Sequence, residues 1–417
     1  MTFTEQPFLP VILGADITAY SHVRAFHEEY NMRSLVLSQL EAKIISESKL
    51  CENRVIPGLE NEDVLIENLI KVGKEFYGKK KLIILGCGDW YVRIIIENKK
   101  ILSEYYLIPY IDEDLLNDIV LKDRFYGYCQ ELGIPYPKTY VYNCGEENDL
   151  KFDFDYPVIA KTANSAMYHY AKFPGKKKVF RFGNEKDLRN MLNNLEKSNY
   201  TYKFLVQDCI PGGDEFMRVL TCYSDQNGKV VFASLGHSLL EDHTPGAIGN
   251  PVAIVNEVNR EIIDNAIKFL ERVGYTGFSN FDIKYDTRDG KYKFFEINVR
   301  LGRSNFYVTG SGFNTVKWIV DDLVYNKKFE GLTIADKENL FTVVPKQIIL
   351  RYVEDKNTQE QVKRLYKEKK VSYPLDYKPD MSPVRAFYVK AAILNQFRKY
   401  HRVEQAEKKG IQLEIKS

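Results

Sequence analysis

At 417 residues the chain is too long for one ordinary core, and length alone suggests about three domains. It is 44% hydrophobic and 28% charged, a globular balance that excludes long disorder and fibrous structure. Its 59 Lys and Arg against 57 Asp and Glu leave +2, too near neutral to mark a nucleic-acid binder. No apolar run approaches the ~20 residues of a membrane helix, and Met1 to Phe8 lacks the basic and apolar regions of a signal peptide. Six cysteines without a CxxC pair argue against a zinc site and a disulfide framework, and fit a reducing cytoplasm.

In chain order, residues 10–14 read as a short buried strand ending on Gly14, followed by a helix from Ala19 to Tyr30. Leu82 to Gly86 repeats the pattern, with a helix from Trp90 to Asn98, and Leu107 to Ile111 is a third strand. Strands alternating with helices predict a parallel, Rossmann-like sheet. Gly86-Cys87-Gly88 lacks the third glycine of a dinucleotide fingerprint. From about residue 115 the texture changes. Helices are expected over Leu115–Glu131, Asn184–Lys197 and Arg260–Val273, and strands over Tyr156–Lys161 and Phe204–Ile210. The chain from Pro211-Gly212-Gly213 to about residue 300 looks mostly antiparallel. The expected division is α/β over residues 1–114, then 115–200, 201–330 and a C-terminal extension, 331–417.

The most informative stretch is Phe281-Asp282-Ile283-Lys284-Tyr285 followed by Phe294 to Arg300. Both halves alternate, so both read as strands, with Glu296, Asn298 and Arg300 on one face. A carboxylate, an amide oxygen and a guanidinium in a row suit a hard cation beside an anion better than a core. A three-residue Arg288-Asp289-Gly290 loop would pair Asp282 with Glu296 and put glycine where a left-handed residue is needed. The alternative is a solvated hairpin face. Two lysines, Lys122 on a helix and Lys161 at a strand end, suggest charge neutralisation of a polyphosphate. No P-loop, G-x-S-x-G elbow, HExxH or kinase signature is present.

Taken in order, Lys122, Gly-Ile-Pro-Tyr-Pro, Val-Ile-Ala-Lys, Val-Gln-Asp-Cys-Ile-Pro-Gly-Gly-Asp, Phe-Asp-Ile-Lys and Phe-Glu-Ile-Asn-Val-Arg resemble the ATP-grasp carboxylate–amine ligases. The resemblance covers about residues 115 to 305, and the region before it is similar to that family's pre-ATP-grasp domain. It implies ATP and Mg2+ as cofactors, with Lys122 and Lys161 on the phosphates. It makes Gln207, Asp208, Cys209 and Ile210 the adenine hinge. Asp214, or Glu215 one place on, would hold the ribose. Asp282, Glu296 and Asn298 would hold magnesium, and Arg300 would face an acyl phosphate. Arg303 and Ser304 are candidates for the transferred phosphoryl group; the alternative for Arg303 is a surface side chain. The family's glycine-rich lid is missing after Lys161, where Asn164 and Ser165 offer side-chain donors instead.

Phe8 to Tyr20, the Gly86 to Tyr91 turn and Tyr110-Ile111-Asp112 resemble the D-aspartate ligases of peptidoglycan cross-bridge synthesis. That narrower resemblance implies D-aspartate as the carboxylate and the lysine amine of a peptidoglycan precursor as the acceptor. Rival readings are an ATP-grasp ligase of other amino acids or dipeptides, a carbamoyl-phosphate-synthase-like enzyme, and a non-catalytic nucleotide-binding subunit. Asp16 and Asp89 follow glycine turns at strand ends, as ligand groups or as helix caps. His237 and His243 read as structural or substrate-bordering. From Arg385 to Lys409 seven basic residues face two acidic ones among apolar residues at helical spacing. That predicts a basic amphipathic helix, packed on the ligase body or in weak peripheral contact with the inner face of the plasma membrane. A homodimer is compatible with the sequence.

Overall fold

The computed structural model describes residues 5–408 except 165–167, 169, 170, 178, 245 and 246. The chain forms two compact units that interleave along the sequence, where four consecutive segments were expected. The first comprises Met1–Glu113, Asp214–Asn280 and Asn298–Ser417; the second comprises Asp114–Gly213 and Phe281–Ile297.

The first unit begins with a five-stranded parallel sheet: β1 (Phe8–Leu13), β2 (Ser34–Ser38), β3 (Cys51–Val55), β4 (Lys81–Gly86) and β5 (Tyr106–Leu107). Its strand order is β3-β2-β1-β4-β5. Helices α1 (Ile17–Tyr30), α2 (Glu62–Phe76) and α3 (Asp89–Glu97) connect the strands. The Rossmann-like expectation therefore holds, with two strands more than were read. β3 carries Glu52, Asn53 and Arg54, which look like loop in sequence. It is held through Ser38 Oγ to Asn53 Oδ1 (2.9 Å) and Arg54 Nη1 to Glu75 Oε2 (2.6 Å). The third expected strand shrinks to two residues because Pro109 has no N–H to extend the ladder.

The second unit contains a four-stranded antiparallel sheet: β6 (Thr139–Asn143), β7 (Val158–Thr162), β8 (Val179–Phe182) and β9 (Lys203–Asp208), in the order β6-β9-β7-β8. Val158, Ala160, Phe204 and Val206 bury one face against Leu188 and Leu192 of a helix over Glu185–Glu196. That helix starts where Asn184 accepts the Asp187 N–H, as a cap residue should. The expected helix over Leu115–Glu131 is two, Glu113–Ile119 and α4 (Lys122–Leu132). The backbone turns extended at Leu121, and Asp118 then accepts from Arg124 Nε (2.7 Å) and Tyr128 Oη (2.6 Å) across the break.

An eight-stranded sheet follows. Its strands are β10 (Met217–Ser224), β11 (Val230–Glu241), β12 (Pro251–Glu257), β13 (Gly277–Asp286), β14 (Lys291–Asn298), β15 (Thr333–Ile334), β16 (Leu340–Thr342) and β17 (Val371–Ser372). They run β14-β13-β10-β11-β12-β16-β17, with β15 beside β11. Within the first unit, Phe8, Phe26, Val36 and Ile83 of the parallel sheet share one buried cluster with Phe232, Tyr307 and Ile319. The N-terminal sheet is thus packed into the same core as the segments after residue 213. A 26-residue helix, α5 (Pro383–Lys408), closes the described chain.

Candidate active site

In the second unit, Lys122 opens α4, and its Nζ lies 2.8 Å from Glu296 Oε2 on β14. Lys161 leaves β7 with its Nζ 5.5 Å from the centre of the Phe295 ring. So both predicted lysines lie against neighbouring residues of the strand that carries the predicted metal acid.

The hairpin reverses over four residues, 287–290, rather than the expected three. Gly290 has φ 71° and donates to Asp286 O at 2.8 Å, so the left-handed role expected of it stands. An unbroken ladder from Asp286 and Lys291 would set Asp282 opposite Phe295. For Asp282 to share a face with Glu296, the ladder needs a one-residue irregularity. The burial of β14 breaks the two-residue rhythm at this point: Phe294 and Ile297 are buried, with Phe295 and Glu296 half-buried between them. Among the described residues no three His, Cys, Asp or Glu side chains gather as a metal cluster. A set of two carboxylates and one amide does not require such a cluster.

The hinge strand is shaped by residues the sequence reading passed over. Gln207 is buried and donates from Nε2 to Thr139 Oγ1 at 2.7 Å. Asp208 is gripped by Arg288, Nη1 to Oδ1 at 2.9 Å and Nη2 to Oδ2 at 2.5 Å. Arg288 also binds Asp286, whose carboxyl it holds below the usual carboxylate range. Lys284 donates to the carbonyls of Ile210 (3.1 Å) and Gly212 (2.6 Å). The side chains of Gln207 and Asp208 are therefore committed, and any reading of a base by this strand falls to its backbone. The signal available in sequence is the basic pair Lys284, on the expected strand, and Arg288, in the expected turn. After Lys161, the Thr162 hydroxyl accepts from Asn164 N (3.1 Å); Ser165 lies outside the described residues.

In the first unit, Asp214 accepts from Glu241 N (2.9 Å) and faces His243 Nε2 (2.8 Å). Glu215 differs. Its carbonyl accepts from His237 Nε2 (2.6 Å) and Arg218 Nη1 (3.1 Å), whereas its Oε2 is buried with no hydrogen-bond partner among the described residues. A buried carboxylate oxygen without a donor is costly, and it suits a ligand hydroxyl. Burial, and after it Arg218, lowers the His237 imidazole below its ordinary value and favours its neutral form.

Asn298 ends β14, and Arg300 follows. Arg300 donates from Nε to Asp89 Oδ1 at 2.6 Å and from Nη1 to Leu301 O at 3.2 Å. Arg303 Nη1 lies 3.6 Å from Asp16 Oδ2, and Ser304 is buried. Asp16 also caps α1 by accepting from Thr18 N and Ala19 N, so the cap alternative holds for it. A separate cavity of about 620 Å3 in the first unit, lined by Arg24, Lys346 and Tyr373 among others, includes none of these candidates.

The α/β layout, the lysine-bearing antiparallel sheet and the Glu-x-Asn-x-Arg strand define an ATP-dependent ligase of the ATP-grasp class. The family model described as "Carbamoyl-phosphate synthase L chain, ATP binding domain" matches residues 219–317. The chain is 38% identical over 415 residues to "D-aspartate ligase" of Enterococcus faecium, covering 96% of this chain and 98% of that one. It is 23% identical over 240 residues to the arginine-specific carbamoyl phosphate synthase large chain of Geobacillus stearothermophilus, but covers only 22% of that protein. Among solved structures, the L-amino acid ligase of Bacillus licheniformis aligns with TM-score 0.55 at 14% identity, over 77% of this chain and 75% of the other. The ADP complex of N5-carboxyaminoimidazole ribonucleotide synthetase aligns with TM-score 0.55 at 10% identity, over 82% of each chain. The chain belongs to the D-aspartate ligase family of ATP-grasp enzymes, and it is an ATP-dependent carboxylate–amine ligase.

Proposed function

We propose that this enzyme activates the β-carboxylate of D-aspartate with ATP and joins it to the lysine side-chain amine of a peptidoglycan precursor. The observation that carries the substrate is the 38% identity to D-aspartate ligase over 96% of the chain. The nucleotide is supported by the ATP-binding family model and by neighbours whose structures hold ADP.

Lys122 and Lys161 are the residues for the phosphates, and the backbone of Gln207, Asp208, Cys209 and Ile210 is the adenine reader. Glu215 is preferred to Asp214 for the ribose, because its Oε2 is buried and lacks a donor while Asp214 already has two partners. Asp282, Glu296 and Asn298 would hold Mg2+, which would supply positive charge to offset that of the phosphates. The contact between Lys122 and Glu296 supports this pairing of roles. The ammonium of Lys122 is assigned to phosphate and the carboxylate of Glu296 to the metal, which sets phosphate and metal side by side.

The chemistry needs no protein nucleophile. A carboxylate oxygen attacks the γ-phosphorus, the bond to the bridging oxygen breaks, and ADP leaves. The amine then attacks the acyl carbonyl, and inorganic phosphate departs with the C–O bond electrons as the amine gives up a proton. The protein supplies positioning and fixed positive charge, with Arg300 steadying the carboxylate and the departing phosphate, and Arg303 and Ser304 beside it.

No helix among the described residues is long and apolar enough to cross a membrane. A cytoplasmic enzyme with weak peripheral contact at the inner membrane face is the location that agrees with a cell-wall precursor as acceptor. The test is phosphate release across D- and L-amino acids, with and without a lysine-containing muropeptide. Release that depends on D-aspartate, with the acceptor consumed, is expected. Preference for an L-amino acid or for bicarbonate would favour the other ligase readings, and nucleotide binding without turnover would favour the non-catalytic one.

A further inference from the structure

Strands β1 and β4 are parallel neighbours, with Leu13 beside Gly86. Both end in glycine turns pressed together: a Cβ on Gly14, at φ 127°, would lie 2.9 Å from Cys87 Cβ. Close approach brings the starts of α1 and α3 side by side at the carboxyl edge of the sheet, where open α/β sheets bind ligands. Each start carries an acid, Asp16 and Asp89. Each acid faces a guanidinium from one short segment, Arg300 to Asp89 at 2.6 Å and Arg303 to Asp16 at 3.6 Å.

These pairs do little for stability. Asp89 is 76% exposed and Arg303 51% exposed, and ion pairs in such settings contribute little to folding. Arg300 is different, only 17% exposed, so a largely desolvated guanidinium is presented to an acid standing in water. The half-buried Cys87 lies between the turns, against Gly14. On the same segment Asn305 Nδ2 is buried without a partner among the described residues.

We infer that this edge recognises an amino acid with two carboxylates, and that Asp89 and Arg303 determine that specificity. The inference rests on the ligase reading above and deepens it. The reacting carboxylate takes the place of the Asp89 carboxylate on Arg300. The other carboxylate takes the place of Asp16 on Arg303. The substrate ammonium pairs with the carboxylate that Asp89 no longer gives to Arg300. Two guanidiniums and one acid thus answer two carboxylates and one ammonium. Asp16 keeps its cap on α1 throughout, so its exchange costs no helix end. An amide or methyl in place of the second carboxylate cannot replace Asp16 on Arg303 and gains nothing from that guanidinium.

The experiment uses the full chain. Calorimetric binding of D-aspartate, D-glutamate, D-asparagine and D-alanine is measured alongside amino-acid-dependent phosphate release, for wild type, Arg303→Ala, Arg303→Lys, Asp89→Asn and Asp89→Glu. Arg303→Ala is expected to weaken D-aspartate binding and raise its KM at least tenfold, to cut the preference over D-asparagine at least tenfold, and to leave the KM for ATP within twofold. Arg303→Lys recovers part of the preference. Asp89→Asn raises the amino-acid KM at least tenfold, and Asp89→Glu recovers part of it. Unchanged amino-acid KM and preference in both Arg303→Ala and Asp89→Asn would overturn the inference, as would an equal rise in the KM for ATP. Wild-type protein that binds no dicarboxylic amino acid also overturns it. Wild-type protein that binds D-aspartate but releases no phosphate sinks the ligase reading while leaving the recognition site standing.

Discussion

At the residue scale the residues proposed for phosphate and metal are opposite charges set side by side. Glu296 beside Lys122 is such a pair. Glu296→Ala should abolish turnover with little change in melting temperature, since Glu296 is 38% exposed and its ion pair is worth little to folding. A large loss of melting temperature would mark it as structural instead. Lys161→Ala should lose one charge-assisted phosphate contact, about 1.5–3 kcal/mol, read as a ten- to hundredfold loss of kcat/KM for ATP. Lys197→Ala at the end of the Glu185–Glu196 helix is the control and should change nothing. These residues were legible in sequence as candidates, because their order along the chain resembles the ATP-grasp ligases. Arg288 and Lys284 were not, since a basic residue in a turn looks the same whether it is solvated or clamps a strand 80 residues away. The same scale sets a pH limit. Burial lowers His22 from 6.5 to about 4, so the folded protein keeps it neutral while the unfolded chain takes up a proton. Its stabilising contribution is present above pH 6.5 and is lost as pH falls toward 4. Urea midpoints should therefore drop between pH 7 and pH 4.5, and drop less in His22→Gln; an equal drop in both would clear this histidine.

At the element scale, α5 divides its apolar residues between two faces. Val389, Tyr400, Val403 and Ala406 are buried, Tyr400 donating to Glu241 O at 2.7 Å. Packing on the ligase body, one of the two outcomes weighed from sequence, is what that face does. The opposite face exposes Val384 (57%), Phe387 (77%) and Leu394 (64%) beside Lys390, Arg398 and Arg402. No acid occurs from Pro383 to Val403. The peripheral membrane contact proposed above would set these apolar and basic groups against anionic lipid. The full chain should co-sediment with anionic vesicles and not with neutral ones. Phe387→Ser with Leu394→Ser should release it without changing turnover in solution. Equal sedimentation of wild type and double variant, or a change in oligomeric state on substitution, would refute the membrane assignment.

At the scale of the whole molecule, the segments after residue 213 return to complete the core begun by the first sheet. One device is buried: Asp380 accepts from Tyr20 Oη, Ser48 Oγ (both 2.8 Å) and Lys49 N (2.9 Å), and Arg385 Nε lies 3.0 Å from it. Arg385 also stacks over the Tyr20 ring at 4.2 Å and donates to Ile44 O. Both charges are essentially inaccessible to water. Removing one leaves the other unpaired, so Asp380→Ala should cost about 3–5 kcal/mol, read as a fall in the denaturation midpoint. A loss below 1 kcal/mol would show the pair to be dispensable.

The sequence by itself determined the family and the parallel opening sheet, and it set out candidates for the phosphate, metal and acyl-phosphate sites, because those depend on local patterning and on residue types at short spacing. Tertiary structure decided what depends on partners far away. It decided that Asp208 belongs to Arg288, that Asp214 has its donors while Glu215 lacks one, and that Asp89 and Asp16 stand against Arg300 and Arg303. It decided the length of the 287–290 turn and the break at Leu121, since a flat choice between neighbouring registers is settled by packing across the sheet. Each of these is a contact between residues whose separation in sequence carries no local signal, and burial fixes them only once the chain has folded.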